Sequence, residues 1–501
     1  MNKRFQSACG SFTWRGLFAT MVLAIWATGC TTASRYERPE MDLPDTWIHA
    51  SSTNTAVTDA LPLRTWWNAF QDEELTTLLE QGVADNLDLQ TAAKRIDEAL
   101  ALRGIAAGAR VPTVSGAGTA QFARLSDTEG GAALDSRSSE TYRAGFDASW
   151  EIDLWGRIQE SVLAADAAVA ASAEDYRDTM IVLKSEIARQ YFVVRELQNR
   201  MELLQSNILA QKEIVQVTSN RYAYGLSPEL DVHQAELNLT STQSALPPLQ
   251  SQLVSAVNRL AVLTGQLPGD VDLSPQATPY NFMPPAELAA GLPADLLRNR
   301  PDVRRAEEQL IGQTARLGVA RKDLLPRLSL SGTFAVQASD VGDLGGSGSQ
   351  SYRLGPSIHL PLFQGGRLRS AVAAERARLE QAVLLYRQTI LRALEDAENA
   401  MAAYRAEQDR LASLRQSVAS AERSVDQVFV LYDSGLVPFL NLLDAQRSLV
   451  QQHDLLAQSL GQVQRNVVGI YRALGGDWQT EVAGGYEVTE EVHGVEEADH
   501  P

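Results

Sequence analysis

The chain has 501 residues, 45% of them apolar and 21% charged, which is the composition of an ordered protein. Its formal charge of −18 argues against nucleic acid as a partner, because holding phosphates takes a surplus of lysine and arginine. Beyond the N-terminus no stretch approaches the roughly 20 apolar residues of a spanning helix, so a bilayer could be crossed only by a closed β-barrel.

Residues 1–29 read as a secretion leader, with Lys3, Arg4 and Arg15 as its basic flank and Leu17 to Trp26 as its apolar stretch. The leader ends Ala27-Thr28-Gly29-Cys30, which resembles the bacterial lipoprotein cleavage box. That resemblance implies that Cys30 becomes the first mature residue and carries a covalent S-diacylglycerol and N-acyl lipid. Thr31, standing where an aspartate would retain the protein at the inner membrane, implies sorting to the outer membrane. Cys9 leaves with the leader and Cys30 is committed to lipid, so no disulfide framework is expected.

Residues 30–85 form a lipid-anchored N-terminal segment, irregular around Pro39, Pro44 and Pro62. Trp66, Trp67 and Phe70 then serve as packing anchors before a helix that begins near Glu73 and aligns Leu75, Leu78 and Leu79. The first repeat, residues 86–265, opens with a helix from Leu87 to about Arg110 that stops before Pro112. A β-hairpin over 111–155 follows. In its second strand Tyr142, Ala144, Phe146, Ala148, Trp150, Ile152 and Leu154 alternate with polar or small residues, so one face meets an apolar environment and the other water. Its length suits a tilted bilayer-spanning strand, with Tyr142, Trp150 and Trp155 at interfaces. Asp147, Glu151 and Asp153 would favour cations if they face a lumen.

A very long helix covers 157–224, a range without glycine or proline, and would reach about 100 Å if unbroken. Its apolar residues, from Ile158 and Val162 through Tyr176, Ile187 and Leu204 to Tyr222, step by three and four along a narrow coiled-coil seam. After the turn Arg221-Tyr222-Ala223-Tyr224-Gly225-Leu226-Ser227-Pro228, a returning helix runs over 229–264, with a kink expected at Pro247-Pro248. A proline-rich linker spans 266–298.

The pattern then recurs in a second repeat, residues 299–475, at one constant offset. Tyr142 matches Tyr352, Gly156-Arg157 matches Gly366-Arg367, Gly225 matches Gly435, Pro228 matches Pro438 and Gly265 matches Gly475. Its parts are a helix from Pro301, a hairpin over 327–363, a long helix over 367–434 and a returning helix over 439–474. The chain is an internal duplication. Residues 476–501 form a C-terminal segment with an acidic tail. Two repeats supply four strands, too few to close a barrel, and an open edge in lipid costs several kcal/mol per unpaired backbone group. Strands from several copies must therefore combine.

With Cys30, Trp66-Trp67, both turns, Leu440-Asn441-Leu442-Leu443-Asp444-Ala445-Gln446-Arg447 and Tyr471-Arg472-Ala473-Leu474-Gly475-Gly476-Asp477-Trp478, the chain resembles the TolC-like outer-membrane factors, in particular the lipoprotein branch. The fold class is thus mainly α with a small β part. The resemblance implies a homotrimer with an α-barrel tunnel and a shared twelve-strand β-barrel in outer-membrane lipid of a Gram-negative cell. It implies an exit duct for multidrug efflux, reaching into the periplasm, that works with a periplasmic adaptor and an inner-membrane pump. By the same resemblance Leu440, Asp444 and Arg447 ring a periplasmic gate. Arg221, Tyr222, Gly225, Leu226, Ser227, Tyr432, Gly435, Leu436 and Val437 form the tips that meet the adaptor. The first repeat has Leu230, Gln234 and Leu237 at the gate positions, so any gate is asymmetric. The plain alternative for Asp444 and Arg447 is an exposed i, i+3 pair worth a few tenths of a kcal/mol.

Dispersed histidines, unclustered methionines and the absence of a phosphate-cradling glycine loop argue against an enzyme, a metal centre or a copper path. Two other readings stay open. One is a duct for type I protein secretion or metal-ion efflux; the other is a periplasmic coiled-coil scaffold, which would leave the strands unexplained.

Overall fold

The computed structural model describes residues 36–39, 41, 63–124, 138–273 and 297–476. The leader, Cys30, most of the linker and the tail with Trp478 lie outside the described residues. The chain falls into two compact units, and neither coincides with a repeat. The first draws on Glu98–Val169 and Glu308–Val383, and the second on the described parts of Glu40–Asp97, Ala170–Glu307 and Leu384–Pro501. Both repeats therefore contribute to both units. Among the described residues no helix is long and apolar enough to cross a membrane.

The first unit carries β1 (Thr113–Arg124), β2 (Ser138–Ile152), β3 (Arg327–Ala338) and β4 (Gln350–His359). They form one antiparallel sheet in the order β1-β2-β3-β4. Directly opposed residues of an antiparallel pair share a face, so the register sorts the side chains. Gly116, Phe146, Phe334 and Tyr352 form one row, and Val114, Ala148, Gly332 and Leu354 another, on an apolar face. Between them Ser115, Asp147, Thr333 and Arg353 form a row on the opposite, polar face. The apolar face is bare: Phe146 is 62% exposed and Tyr352 86%. The weak alternation of β4 in sequence hid this register, which its pairing with β3 makes plain.

β2 starts at Ser138 rather than Tyr142 and ends at Ile152, where Leu154 N–H bonds back to the Ile152 carbonyl at 2.9 Å. β4 stops at His359, before Pro361, which has no N–H to give a ladder. The indoles expected at a lipid interface are engaged within the unit. Trp150 Nε1 donates to the Arg110 carbonyl at 3.0 Å and Trp155 Nε1 to the Pro326 carbonyl at 2.7 Å. The acids expected to line a lumen are largely occupied as well. Arg157 donates to both Glu151 oxygens at 2.9 and 3.0 Å, and Asp153 accepts from Gln159 N–H at 2.8 Å.

A 3-10 helix (Leu63–Phe70) and two α-helices, α1 (Glu73–Asp85) and α2 (Leu87–Gly108), precede the first hairpin, and the long α3 (Arg157–Ala223) follows it. The returning helix of the first repeat is two helices, α4 (Glu229–Ser244) and α5 (Leu246–Leu263), broken at Ala245 just before Pro247-Pro248 as the missing N–H groups dictate. The second repeat supplies α6 (Pro301–Lys322), α7 (Arg367–Asp433) and an unbroken α8 (Phe439–Ala473).

The two long helices have 67 residues each and bury the same seam, but α3 buries a wider face around it. α7 keeps a narrow seam: Tyr386, Ile390, Ala393, Ala397, Met401, Tyr404, Leu411 and Val418. In α3 the seam holds beyond Leu204, through Ile208, Gln211, Ile214 and Thr218. Between Ala171 and Leu197 burial widens to include Ile181, Lys184, Ala188, Phe192 and Arg195, so the narrow-seam expectation is corrected there. The cause is the N-terminal segment. Phe70 packs on Phe192 with ring centroids 4.7 Å apart, Lys184 lies 4.7 Å over the Trp67 ring, and Trp66 stacks on Tyr471 of α8 at 5.4 Å. Asp72 caps α1 by accepting from Glu74 and Leu75 N–H, and its other oxygen accepts from Tyr191 Oη at 2.5 Å. Arg195 bonds both Tyr191 and Glu74. A Cβ on Gly82 would run into Ile187, so glycine lets α1 approach α3.

Candidate functional site

Both hairpins that end the long helices are built alike. Gly225 (φ 72°) and Gly435 (φ 73°) take the left-handed conformation. Leu226 N–H reaches the Arg221 carbonyl at 2.8 Å, and Leu436 N–H reaches the Leu431 carbonyl at 2.9 Å. Gly225 and Gly435 N–H each bond three residues back, to Tyr222 and Tyr432, at 2.9 Å. This paired closure satisfies the last carbonyls of a helix and needs glycine where φ is positive. Pro228 and Pro438, both extended, then open α4 and α8.

Beneath the turns lies a small apolar core of Ile214, Ala235, Tyr432, Phe439, Leu442 and Leu443, with Val437 packed against it. Tyr432 is 4% exposed and its ring lies 5.4 Å from Phe439; burial pushes its hydroxyl pKa up. Its counterpart Tyr222 is 45% exposed. Arg221 crosses from one repeat to the other, its guanidinium 5.0 Å over the Tyr432 ring and donating to the Asp433 carbonyl at 2.8 Å. Burial pushes the Asp231 carboxyl up from its ordinary value, and the charge of Arg221 draws it back.

The residues expected at the tips therefore divide. Tyr222, Gly225, Leu226, Gly435 and Leu436 are exposed, whereas Tyr432 is buried, Val437 packs on the core and Arg221 is turned inward. The Ser227 hydroxyl is buried without a hydrogen-bond partner among the described residues. Tyr224, a large aromatic within the first turn and next to its glycine, is 80% exposed.

The expected gate residues share one surface of α8. Leu440 is 52% exposed, as is its counterpart Leu230 at 60%, and Asp444 is exposed with no ion-pair partner among the described residues. Asp444 and Arg447 do not pair with each other, so the plain i, i+3 reading fails. Arg447 Nε instead donates to Oδ1 of Asn238, a buried residue of α4, at 3.1 Å. Asn238 went unnoticed, because nothing in sequence links it to a residue so distant in the chain.

A sheet with a bare apolar face, long seamed helices and glycine-closed hairpins can be set beside known proteins. Residues 78–266 and 292–476 match the family model of outer membrane efflux proteins. The chain is 31% identical over 469 residues to the solvent efflux pump outer membrane protein SrpC of Pseudomonas putida, covering 92% of this chain and 97% of that one. It is 30% identical over 448 residues to nodulation protein T of Rhizobium leguminosarum bv. trifolii, covering 88% and 93%. Among solved structures, the outer-membrane channel OprN aligns with a TM-score of 0.81 at 34% identity, covering 90% of this chain and 100% of that one. CusC aligns at 0.79 with 26% identity, covering 89% and 99%. Two matched segments on either side of the linker correspond to the two repeats, and the protein belongs to the outer membrane efflux protein family, whose members are channels rather than enzymes.

Proposed function

We propose that the protein is the outer-membrane exit duct of a tripartite efflux system, a homotrimer anchored by lipid on Cys30 and fed by an inner-membrane pump through a periplasmic adaptor. The observation that carries this reading is the sheet: four strands, an exposed apolar face, and outer strands β1 and β4 with one neighbour each. Unpaired edges in lipid are too costly to persist, so β1 of one copy meets β4 of the next. The strands already alternate in direction, which makes that junction antiparallel like the rest.

In such a trimer the helices would enclose a tunnel, with the exposed tip residues Tyr222, Leu226 and Leu436 offered to the adaptor. Three-fold symmetry would gather three copies of Asp444, a costly arrangement that a neighbour's Arg447 relieves, and that link would close the entrance. The exposure of Asp444 and its lack of an ion-pair partner among the described residues favour this assignment over a local pair. Relatives named for solvent efflux, cation efflux and pyoverdine export share similar identity with this chain, so substrate choice belongs to the pump. Full-length protein reconstituted in planar bilayers should give discrete channels, and mass spectrometry of its N-terminal peptide should show three acyl chains on Cys30. Absence of channels would reject the duct; an unmodified Cys30 would reject the anchor.

A further inference from the structure

A cavity of about 620 Å³ lies within the second unit, between α3, the broken pair α4–α5 and α8. Its size falls in the range of small-molecule sites. Part of its wall is apolar, with Leu204, Leu249 and Val450 contributed by three different helices. The rest is polar and, with one exception, internally matched in charge. Arg200 donates to both oxygens of Asp454 at 2.7 and 3.3 Å, and His453 faces Glu422 at 3.3 Å. The exception is Arg447, whose one hydrogen-bond partner among the described residues is the neutral Asn238 amide. Gln211 adds a second unspent group: the residue is 4% exposed, lines the cavity, and its Oε1 has no hydrogen-bond partner among the described residues. A buried acceptor left unpaired is costly, whereas Arg447 is exposed and can meet an anion without first being desolvated.

We propose that this cavity is a binding site for an anionic amphiphile, its acidic head on Arg447, an N–H or O–H donating to Gln211, and its apolar body on Leu204, Leu249 and Val450. This goes beyond the duct reading, since a tunnel needs no pocket in its wall, but it shares Arg447 with the proposed gate, so the acidic head and a neighbour's Asp444 compete for one guanidinium. The site exists because the returning helix of the first repeat breaks at Ala245, and Ala245 and Pro248 themselves line the cavity. The second repeat's α8 has no such break.

The test uses the full-length protein held in amphipol, so that no micelle competes, with 8-anilinonaphthalene-1-sulfonate as probe. It carries an anionic head, an N–H and an aromatic body; N-phenyl-1-naphthylamine is its uncharged counterpart. Saturable fluorescence at one probe per protomer is expected, abolished by Leu204→Trp and by Val450→Trp, each of which fills the cavity from a different helix. Arg447→Gln should weaken the sulfonate probe about tenfold, the worth of one charge-assisted contact, and leave the uncharged probe unaffected. Binding that does not saturate, that survives both tryptophans, or that responds equally for both probes overturns the proposal. Channel activity plays no part in this readout, so the site and the duct stand or fall separately.

Discussion

α3 and α7 have the same length, the same turn chemistry and matching positions in the two repeats, yet only α3 is wrapped. Where α3 places Tyr191 and Phe192, both fully buried, α7 places Met401 and Ala402. The large pair in α3 accepts the N-terminal segment, with Phe70 on Phe192 and Asp72 on Tyr191. Among the described residues α7 has no such cover, and its Leu384, Leu385 and Leu391 stay 65%, 59% and 56% exposed. Duplication thus produced one helix stabilised within the chain and one whose apolar surface calls for another copy. The difference lies in which faces were filled, not in the helices themselves.

The comparison can be broken most forcefully at Phe192. Phe192→Ala should cost about 3–5 kcal/mol, since it empties a fully buried site on which Phe70 packs; denaturant unfolding of the purified protein measures it. A cost below 1 kcal/mol would mean the N-terminal segment does not hold α3. Tyr191→Phe is the gentler form, expected to cost about 1–3 kcal/mol by leaving Asp72 without its buried donor. Leu385→Asp in α7 should leave the helicity of the protomer unchanged and dissociate the assembly, which native mass spectrometry reads directly. An intact assembly would show that this exposed leucine is not at a subunit junction.

The two repeats also differ at their gate positions, and there the expected effect is on conduction. Asp444→Ala combined with Arg447→Ala should raise single-channel conductance, whereas Gln234→Ala with Leu237→Ala, the first-repeat counterparts, should not. Equal conductance in the wild type and the first double variant would reject the gate. The smallest effect is electrostatic. Glu174 is buried, and burial pushes its pKa up despite the pull of Arg304 and Arg177. A carboxyl that binds its proton more tightly when folded adds stability as pH falls toward its ordinary value and loses it as pH rises through the raised one. Glu174→Gln should therefore flatten the pH dependence of unfolding on the acid side of neutrality; a steeper dependence would mean that its ion pairs dominate.

What could be read from sequence was whatever rests on local chemistry or on the repeat. The long helices, both glycine–proline turns, the break before Pro247-Pro248 and the alternation of β2 each depend on neighbours within a few residues. The wide burial of α3 did not show, because Trp67, Phe70 and Asp72 lie far back in the chain and only the fold brings them to Lys184, Phe192 and Tyr191. The same holds for Arg447, which finds Asn238, and for Arg221, drawn inward by Tyr432 and Asp433 of the other repeat. Tip residues were grouped by position along the turn, and the structure regroups them by whether the small core beneath has claimed their side chains.

The central claim is that the two outer strands of the sheet complete each other between copies. Cysteine placed at Ala117 of β1 and paired in turn with cysteine at Ser351, Arg353 or Gly355 of β4, all on the polar face, scans that junction by oxidative cross-linking in the membrane. The account predicts, for at least one register, bands at one, two and three chain masses and none above. Monomer alone in every register, with channels still present, would contradict it.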